Sequence, residues 1–505
     1  MSEREGGDIA PRIVALISRR VLGTPRVIAL LLALSVTAGP TGPTPLPSVD
    51  GAQATILVAR MDRMGRMVSF LERAGRYSVI LRPASWVSEL HPLLSFDPTR
   101  PDSIASAGID PAAGIAISLF NDARVTCVSV SDPAKYEPQA QARLGQLGAV
   151  GRAKDAGASV VVAAIKGRAV AGYVMRGKLS CATEGPSAED LLRRAAKSLA
   201  KPPKKAPWAS VAAAEDSAYF ISPQLTLQLT GKLDTMELRG SGPASPVIPS
   251  LKPAGPSPYG GVQPSGLMLL RARVSPEGVR RVLGRMGAGL LTACEVCNPD
   301  VVGSLIGAIR TELTGEVMLR VDRVKAPPGS LRSQQARYFA VKHAYLAEVA
   351  HPEVVSSALE GLIKIGAVRT ARDAYSIKGG TSETAGTLLA GLSGKNVYLA
   401  NDEEALQAAL SAAAAGAARA APLEHSMDLF VDPHLLARAF GQVSLLDLMS
   451  SRDLAPLVAA GTELVPLCAH SQSFAGWLDF DGATQRVGAN WKLDPGTADA
   501  SDAGH

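Results

Sequence analysis

The sequence predicts an α+β protein built as a tandem duplication of an antiparallel-sheet-plus-helices unit, and three observations carry that prediction. Short apolar runs are joined by two-residue turn signals, as at Asn121-Asp122 and Lys166-Gly167, and strands joined so tightly pair antiparallel. Several apolar runs end on a capping residue followed by proline, which marks a helix start. The same motifs recur in the same order in both halves of the 505-residue chain.

In chain order, residues 1–38 read as an export signal: Arg19, Arg20 and Arg26 precede an apolar run from Val27 to Ala38 that is short for a membrane span. Export to the periplasm or cell surface follows, with a single uncleaved N-terminal anchor as the alternative. Residues 39–54, GPTGPTPLPSVDGAQA, read as a Pro/Gly linker without core-forming capacity. Unit one spans 55–239. A linker rich in Pro, Gly and Ser covers 240–266, and unit two covers 267–445. Residues 446–495 carry apolar helices and a hairpin turning at Asp481-Gly482, and 496–505 form a disordered tail.

The duplication rests on four correspondences. ILVARMDRMGRMVSFLERAG (56–75) aligns with MLLRARVSPEGVRRVLGRMG (268–287), and VSVSDPAKY around Pro133 with AEVAHPEVV around Pro352. RGKLSCATEGPSAEDLL matches SGKNVYLANDEEALQ, and YFISPQL around Pro223 matches LFVDPHL around Pro433. Asp132-Pro133, Ser222-Pro223, Ser275-Pro276, His351-Pro352 and Asp432-Pro433 each offer a cap plus a proline at the first helical position, His351 being the poorest cap of the set. Ser187 before Asp190 and Asn401 before Glu404 approximate capping boxes.

With its export signal, Gly108-Ile109-Asp110-Pro111 ahead of a strand, and repeated strand–Pro–helix modules, the chain resembles a domain-of-unknown-function family of exported bacterial proteins. That resemblance implies an envelope location and brings no catalytic residues with it.

A net charge of +6 and 4% aromatic residues give no basis for expecting a nucleic-acid partner. GYVMRGKL (172–179) falls one hydroxyl short of a phosphate-binding loop; its counterpart LAGLSGKN keeps Gly394-Lys395 but has Leu389 in place of the first glycine. A turn between strands explains both. Cys127 and Cys181 lie in strand-like runs opposite Leu346 and Tyr398 of unit two, and a Cys127–Cys181 disulfide or two buried thiols fit equally. Cys294 and Cys297 form a CxxC ahead of the helix start Asn298-Pro299, read as a local disulfide staple. Cys468 stands alone. His91, His343, His351, His425, His434, His470 and His505 form no H-E-x-x-H, and no G-x-S-x-G elbow occurs.

The densest basic stretch is Arg193, Arg194, Lys197, Lys201, Lys204 and Lys205. It is a candidate contact for anionic lipid or envelope polymer, against a plain solvated helix end. No catalytic residue, metal site or cofactor is expected. The sequence thus favours a non-catalytic envelope binding or scaffold protein, with envelope protein, lipid or anionic polymer as partners. A carrier of hydrophobic ligands and a hydrolase of unrecognised type are the alternatives.

Overall fold

Short runs rich in Val, Ile and Ala, closed by tight turns, form the frame of the chain. The computed structural model describes residues 46–58, 60–78, 81–82, 90–97, 100–200, 217–243, 251–293, 298–326, 334–378, 386–419, 421–443, 455–480 and 483–495. Strand is the commoner state, about 40% against 34% helix, in antiparallel ladders. The α+β expectation is therefore corrected to a mostly β chain. The reason is local: polar edge strands such as 149–155 and 368–371 are exposed and carry no apolar alternation to reveal them.

The chain divides into two compact units, Met1–Gly240 and Ser241–His505. Unit one contains β1 (Ala54–Val58), α1 (Gly65–Gly75), α2 (Pro101–Ser106), β2 (Ile115–Leu119), β3 (Arg124–Ser129) and α3 (Pro133–Leu147). There follow β4 (Ala149–Asp155), β5 (Ala158–Ile165), β6 (Arg168–Arg176), β7 (Leu179–Glu184), α4 (Ala188–Ala200), β8 (Ser217–Ile221), β9 (Thr226–Gly231) and β10 (Thr235–Pro243). Its strands lie in the order β4-β5-β6-β7-β3-β2-β1-β8-β9-β10.

Unit two contains β11 (Met268–Arg273), α5 (Pro276–Ala293), α6 (Pro299–Arg310), β12 (Leu313–Val324), α7 (Gln334–Ala340), β13 (Val341–Val349) and α8 (Pro352–Leu359). It continues with β14 (Val368–Ala371), β15 (Ala374–Lys378), β16 (Thr387–Ser393), β17 (Asn396–Ala400), α9 (Glu403–Arg419) and β18 (Met427–Val431). Then come α10 (Pro433–Gln442), α11 (Ala455–Ala469), β19 (Ser471–Phe480) and β20 (Thr484–Leu493). Its order, β14-β15-β16-β17-β13-β12-β11-β18-β19-β20, is that of unit one position for position.

Neighbouring residues of one strand point to opposite faces, and helices pack on both faces at the centre of each sheet. In β7, Cys181 packs with Leu191, Leu192 and Ala195 of α4, while Ser180 reaches Tyr136 of α3. In β17, Tyr398 packs with Leu406 and Ala409 of α9, while Val397 joins Val355 and Leu359 of α8. The turns repeat as well. Gly177-Lys178 joins β6 to β7 and Gly394-Lys395 joins β16 to β17, with left-handed φ of 60° and 58° at the glycines. Val130 donates to the Lys178 carbonyl at 2.6 Å and Val349 to that of Lys395 at 2.8 Å.

The described parts of the two supposed linkers, 46–54 and 251–266, are packed straps. Leu46 and Val49 are buried against Leu191, Ala195 and Leu199, and Tyr259 and Val262 against Leu406, Ala409 and Ala413. Each strap lies on the helix that follows the corresponding strand in its unit. Burying a pair of such side chains is worth about 4 kcal/mol. Polar, Pro and Gly content hid these anchors because few residues of each strap face inward.

Helix starts follow their caps where a helix forms. Asp132 accepts from Ala134 N at 3.0 Å, Ser275 from Gly278 N at 3.2 Å, Asn298 from Asp300 N at 2.8 Å and Asp432 from Leu435 N at 3.0 Å. His351 makes no side-chain cap bond. Ser222-Pro223 instead makes the β8–β9 turn, its hydroxyl accepting from Leu225 N at 3.1 Å. Unit two inserts α10 and α11 at that place. Asn401 leaves the α9 cap to Asp402, which accepts from Ala405 N at 3.1 Å. Within 446–495, β19 pairs with β18 along Met427–Val431 and so continues the unit-two sheet. Residues 1–38, expected to be an export signal, and residues 496–505 lie outside the described residues, and no helix among the described residues is long and apolar enough to cross a membrane.

Candidate functional site

Three places gather polar side chains. In unit one, β3 and β7 carry Cys127 and Cys181 directly opposite each other, and they form a disulfide with Cα atoms 4.0 Å apart. The same register in unit two places Leu346 opposite Tyr398. On the other face of β7 lies a buried network of His91, Tyr136 and Ser180. The His91 Nδ1 accepts from Leu93 N at 3.2 Å, which leaves the proton on Nε2, 3.3 Å from the Tyr136 hydroxyl. Tyr136 lies 2.8 Å from Ser180 Oγ, which donates to the Val174 carbonyl at 3.4 Å. Every member therefore has a partner in one donor chain. Burial, with a smaller contribution from the Arg124 charge, pushes His91 down to about 3, so the ring is neutral. Burial raises the Tyr136 hydroxyl, which also stays protonated.

Sequence reasoning missed this network although a signal was present. Under the correspondence of Pro133 with Pro352 and Gly177 with Gly394, Tyr136 and Ser180 match Val355 and Val397, which pack in the apolar core of unit two. A polar pair where the other copy is hydrocarbon marks a difference between the copies. All three side chains are shut off from solvent, so the arrangement orders the core and offers no space to a substrate.

The second place is in unit two, at the β18–β19 ladder. Asp479 Oδ2 lies 3.0 Å from His425 Nδ1, and its Oδ1 accepts from Ser426 N at 3.1 Å. The imidazole stacks on Trp477 with ring centres 4.4 Å apart and planes 8° from parallel. The hydroxyl nearest in sequence, that of Ser426, is buried and accepts from Phe480 N at 3.3 Å. Close by, Arg271 of β11 pairs with Asp428 at 3.1 Å and donates to the strap carbonyls of Gly260 at 3.0 Å and Val262 at 2.8 Å. Burial raises the Asp428 carboxyl while Arg271 opposes the shift. His434 faces Asp494 at 3.4 Å.

The third place is the basic helix face. Arg193 pairs with Glu189 at 3.1 Å and Arg194 with Asp190 at 2.8 Å, both exposed pairs one helical turn apart. Arg194 and Lys197 line a shallow recess of about 280 Å³ with Asp50 and Gly51. Lys201, Lys204 and Lys205 lie outside the described residues, as do Cys294 and Cys297. Cys468 is free of a disulfide and half-buried, and burial raises its thiol. Among the described residues no three His, Cys, Asp or Glu side chains converge as a metal site.

Comparison of the chain with protein-family models, curated proteins and solved structures finds no match.

Proposed function

We propose that this chain is an exported, non-catalytic binding or scaffold protein of the cell envelope. The observation that supports this reading is how its polar side chains are engaged. His91, Tyr136 and Ser180 complete one another's hydrogen bonds, Arg271 ties a strap to its sheet, and Asp479 holds His425 and the Ser426 amide. These groups stabilise a frame used twice, which offers its sheet edges and helix surfaces to partners. The N-terminal basic and apolar layout of 1–38 supports the envelope location.

The test is cross-linking of the protein in its native host, followed by purification from the envelope fraction and mass spectrometry. A recurring protein partner is the expected result. Recurrent co-purification of a lipid would favour a carrier instead. The His425–Asp479 pair is a His–carboxylate arrangement of the kind a hydrolase uses. Turnover of ester, peptide or glycoside substrates that is lost in His425→Ala would overturn the non-catalytic reading.

A further inference from the structure

We propose that the outer edge of β4 is a docking strand for an acidic, extended peptide segment of a partner, which adds to the unit-one sheet antiparallel. The proposal deepens the binding reading above and rests on it. Among the described residues β4 pairs only with β5, in uninterrupted register from Ala149 opposite Ala164 to Asp155 opposite Ala158. Among the described residues, no strand takes up the backbone donors and acceptors that alternate residues of Ala149–Asp155 present on its other side. Sheet edges of this kind take up strands from partners, with main-chain bonds supplying affinity and alternate side chains supplying specificity.

Charge selects the occupant. Across 149–179 the exposed basic residues are Arg152, Lys154, Lys166, Arg168, Arg176 and Lys178, against the single carboxylate of Asp155. Val150, Arg152 and Lys154 share one face of β4, and Val150 is 43% exposed. An antiparallel strand reading acidic-x-acidic-x-apolar places its carboxylates opposite Lys154 and Arg152 and its apolar residue opposite Val150. The matching edge of unit two is unlike this. There, β14 is only Val368–Ala371, and its register with β15 slips between Arg369 and Ala371. A short, bulged edge resists strand addition. The basic charges on β4 likewise oppose pairing with a second copy of itself and favour an acidic strand.

The experiment uses the purified full chain and a fluorescein-labelled peptide, Thr-Glu-Thr-Glu-Thr-Val-Thr, read by anisotropy. Saturable binding is expected. It weakens about tenfold in the Arg152→Glu, Lys154→Glu double variant, as opposed cross-strand charges predict. The double variant should in turn prefer the peptide with Lys in place of Glu. Both substituted residues are exposed, and circular dichroism checks that the fold is kept. A peptide with Pro in place of the Thr between the two Glu residues should not bind, because it lacks the donor and breaks the ladder. Absence of binding by the acidic peptide, or equal binding of the proline peptide, overturns strand addition. Loss of self-association in the double variant, seen by light scattering without peptide binding, overturns it too and gives the edge to a second copy. If a cross-linked envelope partner persists unchanged in the double variant, the edge proposal falls while the binding reading stands.

Discussion

Removing the disulfide in Cys127→Ala, Cys181→Ala should lower the stability of unit one and leave unit two untouched. The bridge joins residues 54 apart in sequence. Closing a loop of that length removes about 14 cal/mol/K from the unfolded chain, or about 4 kcal/mol at room temperature. The two cysteines face each other across β3 and β7 in the packed core shared with α4, so the bridge adds no detour to the native chain. Hydrogen exchange read by peptide mass spectrometry suits a chain with two units. The slowest amides of β3, β6 and β7 should exchange about a thousandfold faster in the variant, since each 1.4 kcal/mol is a factor of ten. Those of β13, β16 and β17 serve as an internal reference, because Leu346 and Tyr398 stand there without a covalent link. Unchanged exchange in unit one, or an equal acceleration in unit two, would refute the reasoning.

Three other perturbations have definite outcomes. His91 is held down to about 3, well below its unfolded value near 6.5. Below pH 6.5 the unfolded chain takes up a proton that the folded one refuses. The stability is therefore full above that pH and declines as pH falls towards 3, by about 2 kcal/mol at pH 5. In urea unfolding at pH 7 and pH 5, wild type should lose about that much more than His91→Leu; an equal loss in both would contradict the assignment. Arg271→Met frees the Gly260 and Val262 carbonyls and leaves Asp428 without its cation, at a cost of about 3 kcal/mol. Limited proteolysis should then cut between 251 and 266, and a strap as resistant as wild type would argue against the tether. Gly177→Ala meets open space but keeps a φ of +60°, so it should cost about 1 kcal/mol in thermal unfolding. A gain in stability there would count against the left-handed turn.

The repeat shows how far pattern carries. Proline after a capping residue located the starts of α3, α5 and α10, because a missing N–H and a side-chain acceptor are local chemistry, and proline alone marked α8. Gly177-Lys178 was legible as a turn since its partner Gly394-Lys395 keeps the turn without the rest of a phosphate loop. Ser222-Pro223 carried the same cap signal and became a strand turn, because the β8–β9 pairing satisfies the backbone that a helix otherwise takes up. The straps escaped notice because a Pro- and Gly-rich segment with two anchoring residues looks like any linker until the helix it covers is in place.

The sequence by itself determined the capped helix starts, the tight turns and the spacing of the recurring motifs, and it left Cys127 and Cys181 open between a disulfide and two buried thiols. Each depends on a few neighbouring residues or on a pattern written twice. Tertiary structure alone decided that strand outweighs helix, that both straps pack on the helix following β7 or β17, and that His91 meets Tyr136 and Ser180 across the unit-one core. Those outcomes depend on which distant segments share a face, and hydrogen bonds between residues 45 apart, as between His91 and Tyr136, leave no local periodicity to read.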